Sequence, residues 1–238
     1  MSPRIVTVHS RKGGVGKSTI AYELAWLLKG VLVDLDYEDG NATGTWGWEH
    51  EDRVTSPLIH ALERGSTPKP LTGYNKPDLV PGHPDFVFYE GTATDVTDAL
   101  MKWASEWGRE WVVVDTHNGA SEATTGALRA ANVIVAPVPL AVKDLRATRS
   151  LIRELADYPL VLVPSKVDSA PELLVRRLAE MVEGTPVQIG PFVPFARPVA
   201  RRTRRMAITS ESPPAKALRP IAAAMEQVAQ FVTEYVGE

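Results

Sequence analysis

The sequence contains no cysteine, no long apolar run and no excess of positive charge. Without cysteine, the chain forms neither a disulfide nor an iron–sulfur cluster held by thiolates. No run approaches the roughly 20 apolar residues of a membrane span, and residues 1–4 lead into the first apolar run without a signal peptide. These absences lead us to expect a cytoplasmic protein.

The overall charge also limits the kind of partner that the chain can bind. The formal net charge is −3, so contact with nucleic acid would need a local basic patch. Hydrophobic residues make up 44% of 238 positions, which is enough to bury a large core. We therefore expect a single domain over residues 1–238, with no helix-turn-helix extension before the first strand.

Short apolar runs alternate with longer helical patterns along the chain. This alternation is typical of an α/β fold with a mostly parallel, doubly wound sheet and helices on both faces. The predicted strands are 5–9, 31–35, 111–115, 133–136, 160–164 and 187–189. The predicted helices are 18–28, 96–107, 121–130, 142–156, 171–183 and 220–236. Residues 66–84 are rich in Pro, Gly and Lys, which predicts a surface excursion.

The most specific motif follows the first predicted strand and reads Arg11-Lys12-Gly13-Gly14-Val15-Gly16-Lys17-Ser18-Thr19. A glycine-rich loop turns backbone N–H groups around polyphosphate oxygens, and the helix that follows adds the positive end of its dipole. Lys17 is predicted to reach the β- and γ-phosphates, and Ser18 to place its hydroxyl on Mg²⁺. Arg11 replaces the first glycine of G-x-x-x-x-G-K-[ST], and a second lysine, Lys12, follows it. The alternative is an ordinary glycine-rich turn.

The segment 12–18 resembles the P-loop of the deviant Walker A ATPases of the ParA/MinD type, K-G-G-x-G-K-[ST], at every fixed position. In that family the extra lysine crosses the subunit interface and touches the nucleotide of the partner. The resemblance therefore implies a homodimer in the ATP state, with Lys12 and Lys17 as catalytic lysines. It also implies ATP and Mg²⁺ as ligands. The implied nucleotide contacts are Lys12, Gly13, Gly14, Val15, Gly16, Lys17, Ser18, Thr19 and Asp115.

An acidic segment follows the second predicted strand, where an open α/β sheet binds its ligand. It reads Asp34-Leu35-Asp36-Tyr37-Glu38-Asp39-Gly40-Asn41-Ala42-Thr43 and resembles the family's switch I, D-x-D-P-Q-G-N-A-T. The resemblance assigns to Asp36 the carboxylate that positions or activates the attacking water. The chain departs from the pattern after Asp36, with one added residue. The alternative is that Asp36 and Asp39 are turn residues.

A second acid, Asp115, ends the apolar strand 111–115, which is the Walker B arrangement. Asp115 is predicted to hold Mg²⁺ through water. The family continues with D-x-P-P or D-x-P-G, whereas this chain continues with Thr116-His117-Asn118-Gly119. Phosphoryl transfer depends mainly on positioning and charge, so a structural or switch role is expected for His117.

The base-binding residues have a weaker pattern. The segment 164–168 includes Ser165-Lys166-Val167-Asp168, which superficially resembles the N/T-K-x-D element with which GTPases recognise guanine. The resemblance to deviant Walker A proteins places adenine contacts near this segment and near residues 191–195. The longer P-loop match favours ATP over GTP.

A basic cluster follows the last predicted strand, with only Glu211 to oppose it. Such a patch suits contacts to DNA phosphates, which position a protein without reading sequence. Its alternative roles are a solvated loop or salt bridges to a protein partner. The predicted DNA-binding residues are Arg197, Arg201, Arg202, Arg204, Arg205, Lys216 and Arg219.

The C-terminal segment is amphipathic, but its polar face is not basic. A membrane-surface helix normally carries Lys and Arg on that face, so this helix is expected to pack on the domain instead. Its apolar stripe consists of Ile221, Met225, Val228, Val232 and Val236.

Together these features predict a small DNA-partition ATPase similar to ParA. Its ATP dimer would bind nonspecific double-stranded DNA on the nucleoid. A ParB-like centromere-binding partner would stimulate an otherwise weak hydrolysis and release it, which segregates a plasmid, phage or chromosome. Two alternatives are a cargo-positioning ATPase for a protein assembly, and a regulatory switch or GTPase that does not bind DNA.

Overall fold

A parallel β-sheet runs through the protein, for which a computed structural model describes residues 2–38, 41–49, 56–168 and 170–237. The strands are β1 (Arg4–Val8), β2 (Val31–Asp34), β3 (Asp78–Val80), β4 (Trp111–Asp115), β5 (Val133–Pro139), β6 (Leu160–Val167), β7 (Gln188–Ile189) and β8 (Val193–Pro194). Their order is β3-β2-β4-β1-β5-β6-β7, and β8 also pairs with β6. All of these strand pairings are parallel, which confirms the predicted fold class.

Helices follow most strands and cover both faces of the sheet. They are α1 (Lys17–Leu27), α2 (Ala42–Trp46), α3 (Pro57–Arg64), α4 (Phe86–Tyr89), α5 (Ala93–Trp107), α6 (Glu122–Ala130), α7 (Leu145–Glu154), α8 (Glu172–Val182), α9 (Arg197–Ala200) and α10 (Arg219–Gly237). A short 3-10 turn, Val142–Asp144, precedes α7, so the helix predicted over 142–156 is divided in two.

The core lies on both sides of the sheet because successive side chains of a strand point to opposite faces. In β6, Val161 and Val163 pack with α1 and α10, whereas Leu160 and Leu162 pack with α7 and α8. Burial on both faces explains why these strands are nearly continuous runs of valine, isoleucine and leucine.

The C-terminal helix α10 packs on the sheet as its apolar stripe predicts. Ile221, Met225, Val228 and Val232 are buried in the same cluster as α1, and Val236 packs against that cluster. Among the residues that the structure describes, no helix is both long and apolar enough to cross a bilayer.

The predicted surface excursion over residues 66–84 is wrong for residues 78–80. Asp78–Val80 forms strand β3, in which Leu79 and Val80 are fully buried, and Leu71 pairs antiparallel with Leu79. Three residues are too few to show a strand periodicity, and the surrounding prolines and glycines are typical of loops.

All strands of a parallel sheet end at the same edge, and that edge positions the candidate site. The loop after β1, the segment after β2, the end of β4 and the end of β6 therefore converge there.

Candidate functional site

The loop between β1 and α1 has a backbone that only glycine adopts readily. Gly14 and Gly16 have φ angles of 72° and 95°, which lie in the left-handed region. Gly16 precedes α1 and provides no side-chain cap, so the first N–H groups of the helix have no side-chain acceptor at that position. These free donors can bind an anion at the start of the helix.

A cleft of about 400 Å³ opens beside this loop at the carboxyl edge of the sheet. The segment Gly13 to Ile20 lines one part of it. Elsewhere the lining includes Asp36, Asn118, Ser165, Phe195 and Met225. The structure thus brings the P-loop together with the two segments in which base contacts are predicted.

Lys17 lies at the base of the cleft and is only 5% exposed. Its Nζ donates to Asp36 Oδ2 at 3.0 Å and to Asp115 Oδ1 at 2.8 Å. Burial alone would lower the pKa of Lys17, but the charges of Asp115 and Asp36 outweigh it and raise that pKa. The lysine therefore remains charged, and it connects the start of α1 to the segment after β2 and to the end of β4.

Asp115 is fully buried, and burial raises its pKa, while Lys17 and the Ser18 hydroxyl act to lower it. Its second oxygen, Oδ2, has no hydrogen-bond partner among the described residues. An orphaned carboxylate oxygen next to a hydroxyl is a donor set of the kind that Mg²⁺ prefers, with water completing the shell. The residues present therefore fit a magnesium ion.

A third carboxylate, Asp34, is a structural residue. Its Oδ2 accepts from Thr43 N and Thr43 Oγ1, both at 2.6 Å, and its Oδ1 accepts from Asp36 N at 3.1 Å. Burial, with repulsion from Asp115, raises the pKa of Asp34 to about 7. Asp34 thus holds the segment after β2 in place, although the pattern after β2 directed attention to Asp36 alone.

Two loops that depart from the family pattern contact each other. The rings of Tyr37 and His117 stack with centroids 4.3 Å apart and an interplanar angle of 18°. His117 Nε2 lies 3.4 Å from Glu38 Oε1. These contacts are of the kind that a structural role of His117 needs. Of the two residues in the alternative turn interpretation, Asp36 and Asp39, Asp39 lies outside the described residues.

A candidate metal site is formed by three residues whose ligand atoms lie within 4.8 Å of one another, namely Asp36, Glu38 and His117. However, Gly119 N donates to His117 Nδ1 at 2.9 Å. An accepting Nδ1 leaves the proton of the ring on Nε2, which lies 3.4 Å from Glu38 Oε1 without forming a hydrogen bond to it. A nitrogen that carries a proton does not ligate a metal, so the three residues form a contact between the loops and not a metal site.

Lys12 and Arg11 both extend to the region around α7. Lys12 Nζ lies 2.6 Å from Asp144 Oδ1, in the turn before the helix, and Arg11 forms an ion pair with Glu154 at its end. The Lys12 side chain is 48% exposed. The extra lysine is therefore held by an acid of its own chain.

The predicted DNA-binding arginines differ in how their guanidinium groups are used. Arg202 is 12% exposed and donates to the carbonyl oxygens of Arg204 and Met206 and to Glu211 Oε1 at 2.8 Å. Arg205 contacts Gly47 O and Glu49, and Arg204 lies 3.3 Å from Glu211. In the described part of the chain, Arg197 and Arg201 form no ion pair and are exposed, and Lys216 and Arg219 are also exposed.

A buried acid of α1, Glu23, attaches the turn that follows the C-terminal arginine segment, residues 197–205, to the P-loop helix. Its oxygens accept from Ile208 N at 2.7 Å, Thr209 N at 3.0 Å and Thr209 Oγ1 at 2.7 Å. Burial raises the pKa of Glu23, and these donors act against the increase. Nothing in the sequence around Glu23 identifies this contact, since its partners lie about 185 residues away.

Comparisons with known proteins agree with this architecture. The chain is 31% identical to the chromosome-partitioning ATPase Soj of Thermus thermophilus over 159 residues, which is 65% of this chain and 62% of Soj. It is 29% identical to the chromosome partitioning protein ParA of Myxococcus xanthus over 153 residues, 57% of this chain and 52% of that protein. The chain thus matches less than two thirds of either relative's length.

Solved structures show the same fold at low identity. A plasmid partition protein of Borrelia burgdorferi bound to AMPPNP has a TM-score of 0.74 and 18% identity, with 98% of this chain and 99% of that chain covered. The septum site-determining protein MinD of Pyrococcus horikoshii complexed with Mg-ADP has a TM-score of 0.75 and 17% identity, with 99% and 98% covered.

A family sequence model described as the CobQ/CobB/MinD/ParA nucleotide binding domain matches residues 6–207. This match includes the P-loop, both acidic strand ends and the whole C-terminal arginine segment. The chain belongs to the family of CobQ/CobB/MinD/ParA nucleotide-binding domains.

Proposed function

We propose that this protein is an ATP-dependent DNA-partition ATPase whose ATP dimer binds nonspecific double-stranded DNA. The observation that carries the proposal is the buried contact of Lys17 with Asp36 and Asp115 at the base of the P-loop cleft. The named relatives Soj and ParA support the partition role.

Nucleotide binding in this proposal uses the loop from Lys12 to Thr19. Backbone N–H groups of the glycine-rich loop and the start of α1 would bind the phosphates. Lys17 would exchange its two carboxylate partners for the β- and γ-phosphate oxygens, which carry the same sign of charge. The charges of Asp115 and Asp36 raise the pKa of Lys17, and phosphate oxygens would act in the same direction, so the lysine would be charged in both states.

Ser18 and Asp115 would hold Mg²⁺, as the Ser18 hydroxyl and the orphaned Asp115 Oδ2 suggest. A bound magnesium ion would neutralise charge on the phosphates as the terminal phosphoryl group departs. Protein structures related to this chain contain AMPPNP in one case and Mg-ADP in another.

Hydrolysis would depend on Asp36, the carboxylate after β2. When Lys17 turns to the phosphates, Asp36 loses a hydrogen-bond donor and gains a free oxygen for a water molecule. That oxygen would orient the water and accept its hydrogen bond during attack on the γ-phosphorus. The stacked Tyr37 and His117 would limit how far the Asp36 loop moves, which supports slow hydrolysis in the absence of a partner.

Dimerisation would move Lys12 away from Asp144 and towards the nucleotide of the partner subunit. The Lys12 side chain is half exposed, so it has room to make this change. Its ion pair with Asp144 is the contact that it would break. Two copies would then bring together two sets of exposed arginines, so DNA affinity would rise with dimerisation. Arg197, Arg201, Lys216 and Arg219 are the exposed candidates for phosphate contacts, with Arg204 and Arg205 beside them.

Release from DNA completes the proposed cycle. A centromere-binding partner similar to ParB would accelerate hydrolysis and return the ATPase to a monomer with low DNA affinity. The protein would then be distributed over the nucleoid in its ATP state and would carry a plasmid, phage or chromosome.

The decisive experiment measures binding to a duplex of arbitrary sequence with no nucleotide, ADP, ATP or GTP over a range of salt concentrations. We expect ATP-selective binding that weakens steeply with salt. An Asp36→Ala variant should bind ATP but hydrolyse it slowly, so its DNA complex should persist. Binding that is the same with every nucleotide would contradict the proposal.

A matched control separates nucleotide chemistry from general loss of an acid. Asp157→Asn changes an exposed acid on the surface and should leave ATP-dependent DNA binding unchanged.

Lys12→Ala should weaken ATP-dependent dimerisation and hydrolysis more than binding of nucleotide to the monomer. Equal losses in both would contradict the role of Lys12 across the interface.

A further inference from the structure

Helices α7 and α8 lie side by side on the sheet, with an apolar inner surface and a basic outer surface. Leu151, Ile152 and Leu178 are buried against β5 and β6. The exposed side carries several arginines on each helix. We define the α7–α8 arginine face by the exposed residues Arg146, Arg149, Arg153 and Arg177.

These arginines share one surface. Arg146, Arg149 and Arg177 line a single groove of about 340 Å³ between the helices. Arg153 lies one turn beyond Arg149 and so faces the same side of α7. Along the axis of α7, the steps from Arg146 to Arg149 and on to Arg153 are about 4.5 Å and about 6 Å. The face is therefore a row of guanidinium groups on rigid helices.

The guanidinium groups of this face are free to bind a ligand. In the described residues, none of the four forms an ion pair, and the acid of the groove, Glu180, lies 3.5 Å from a different arginine, Arg176. The acids next to α7 face away, because Asp144 binds Lys12 and Glu154 binds Arg11. The helix thus separates acids directed at the P-loop from arginines directed at solvent.

We propose that the α7–α8 arginine face binds the phosphate backbone of double-stranded DNA as a second contact surface. This inference rests on the proposed DNA-binding function. The C-terminal arginine segment packs through Val199, and Ala196 just before it packs likewise, on the α1 and α10 side of the sheet. The two surfaces therefore lie on opposite faces. The second contact was not predicted, because its arginines are spaced along two amphipathic helices and form no run.

The chemistry of the face favours DNA over an acidic peptide. A guanidinium group binds phosphate oxygens through two parallel hydrogen bonds, and a row of them matches the repeated charge of a duplex. A peptide needs apolar anchors to bind stably. The apolar residues of the groove, Leu145 and Met181, are buried and half-buried, so they offer little anchoring surface.

The test compares two variants that each remove three positive charges. One is the triple variant Arg146→Ala, Arg149→Ala, Arg177→Ala. The matched control is Arg64→Ala, Lys69→Ala, Arg129→Ala, which changes exposed cations away from this face. Binding of a duplex of arbitrary sequence is measured by fluorescence anisotropy with ATP over a salt series. Thermal unfolding and ATP binding without DNA establish that both variants fold.

We expect the first variant to bind DNA about tenfold more weakly or worse, with a salt slope reduced by about 2 to 3. The control should stay within about twofold of the wild type, since distant charges are screened. Equal DNA binding by both variants would overturn this inference and leave the proposed function intact. Wild-type protein that fails to bind DNA would overturn the proposed function itself.

One further outcome identifies a protein or lipid ligand instead. If the first variant binds DNA normally but no longer responds to a purified partner protein, the face is a protein interface. If it binds DNA normally but loses adsorption to vesicles of anionic phospholipid, the face is a membrane contact. Either result would overturn the assignment to DNA.

Discussion

The P-loop cleft and the C-terminal arginine segment both concentrate positive charge, but they use it in different ways. Lys17 is held by Asp36 and Asp115 at the base of an open cleft. Arg202 is enclosed by carbonyl oxygens of its own segment and by Glu211. A cation that borders a cleft can exchange its partners for a ligand, whereas one whose donors are already used stabilises the fold. Charge alone does not distinguish the two.

The largest effect should come from removing the cation of the cleft. Lys17→Ala leaves Asp36 and Asp115 buried near each other without a counter-charge, which should lower the free energy of unfolding by about 3 kcal/mol at pH 8. ATP binding should be lost as well. Chemical denaturation and nucleotide titration check both results. Lys69→Ala removes an exposed lysine and serves as the control. If Lys17→Ala bound ATP at the wild-type level, Lys17 would not be a ligand-binding cation.

The comparison also predicts a difference between neighbouring arginines. Arg202→Ala removes hydrogen bonds from a charged donor to Met206 O and Glu211, so it should lower the free energy of unfolding by about 2 kcal/mol. Arg201→Ala should change it by less than about 0.5 kcal/mol, because Arg201 is exposed. Denaturant unfolding of the two variants tests this difference. Similar values for both would show that Arg202 is not a structural residue.

The burial of His9 beside the P-loop cations should be visible in the pH dependence of stability. Burial, followed by the charges of Lys17 and Arg11, lowers the pKa of His9 to about 4. The unfolded chain then takes up a proton near pH 6.5 and the folded chain does not, so stability falls as the pH drops towards 4.

Between pH 7.5 and 5, this residue should cost about 2 kcal/mol of stability. His9→Gln is neutral at both pH values and should show a decline smaller by that amount. Denaturant unfolding at the two pH values gives the comparison. Parallel pH profiles for wild type and variant would mean that His9 takes up its proton at the same pH in the folded and the unfolded chain.

The smallest effect is expected where the cation is half exposed. Asp144→Asn removes the charge that holds Lys12, which should favour ATP-dependent dimerisation by about 1 kcal/mol, or roughly fivefold. Sedimentation of the protein with ATP measures the change. Asp157→Asn, which alters an exposed acid of the same charge, should have no effect. Weaker dimerisation of Asp144→Asn would show that the contact supports the dimer.

The sequence predicted the cleft well because its residues follow strand ends. Asp36 and Asp115 lie at or just after strand ends, and Lys17 begins the helix that follows the loop after β1. Parallel strands end at one edge, so the convergence of these residues follows from topology. Strand Trp111–Asp115 was predicted with the bounds that the structure has. The family match over residues 6–207 confirms the resemblance that the P-loop suggested.

The remaining features depend on contacts that cross the chain. Strand β3 has three residues among prolines and glycines, and its burial results from pairing with β2. The stacking of Tyr37 on His117 joins residues 80 positions apart. Arg202 and Arg201 are adjacent and chemically identical, so only packing decides which of them is enclosed. No local sequence pattern predicts contacts of this kind.

The buried carboxylate of Glu23 has a practical consequence for how this protein is divided. The family match ends at residue 207, one position before Ile208, the first of the two residues whose groups hydrogen-bond to that acid. A fragment cut at this limit would retain Glu23 in the core without its donors and would also lack α10. A buried carboxylate without hydrogen-bond donors lowers the free energy of unfolding. Boundaries for expression should therefore follow the partners of Glu23, and not the region of sequence similarity.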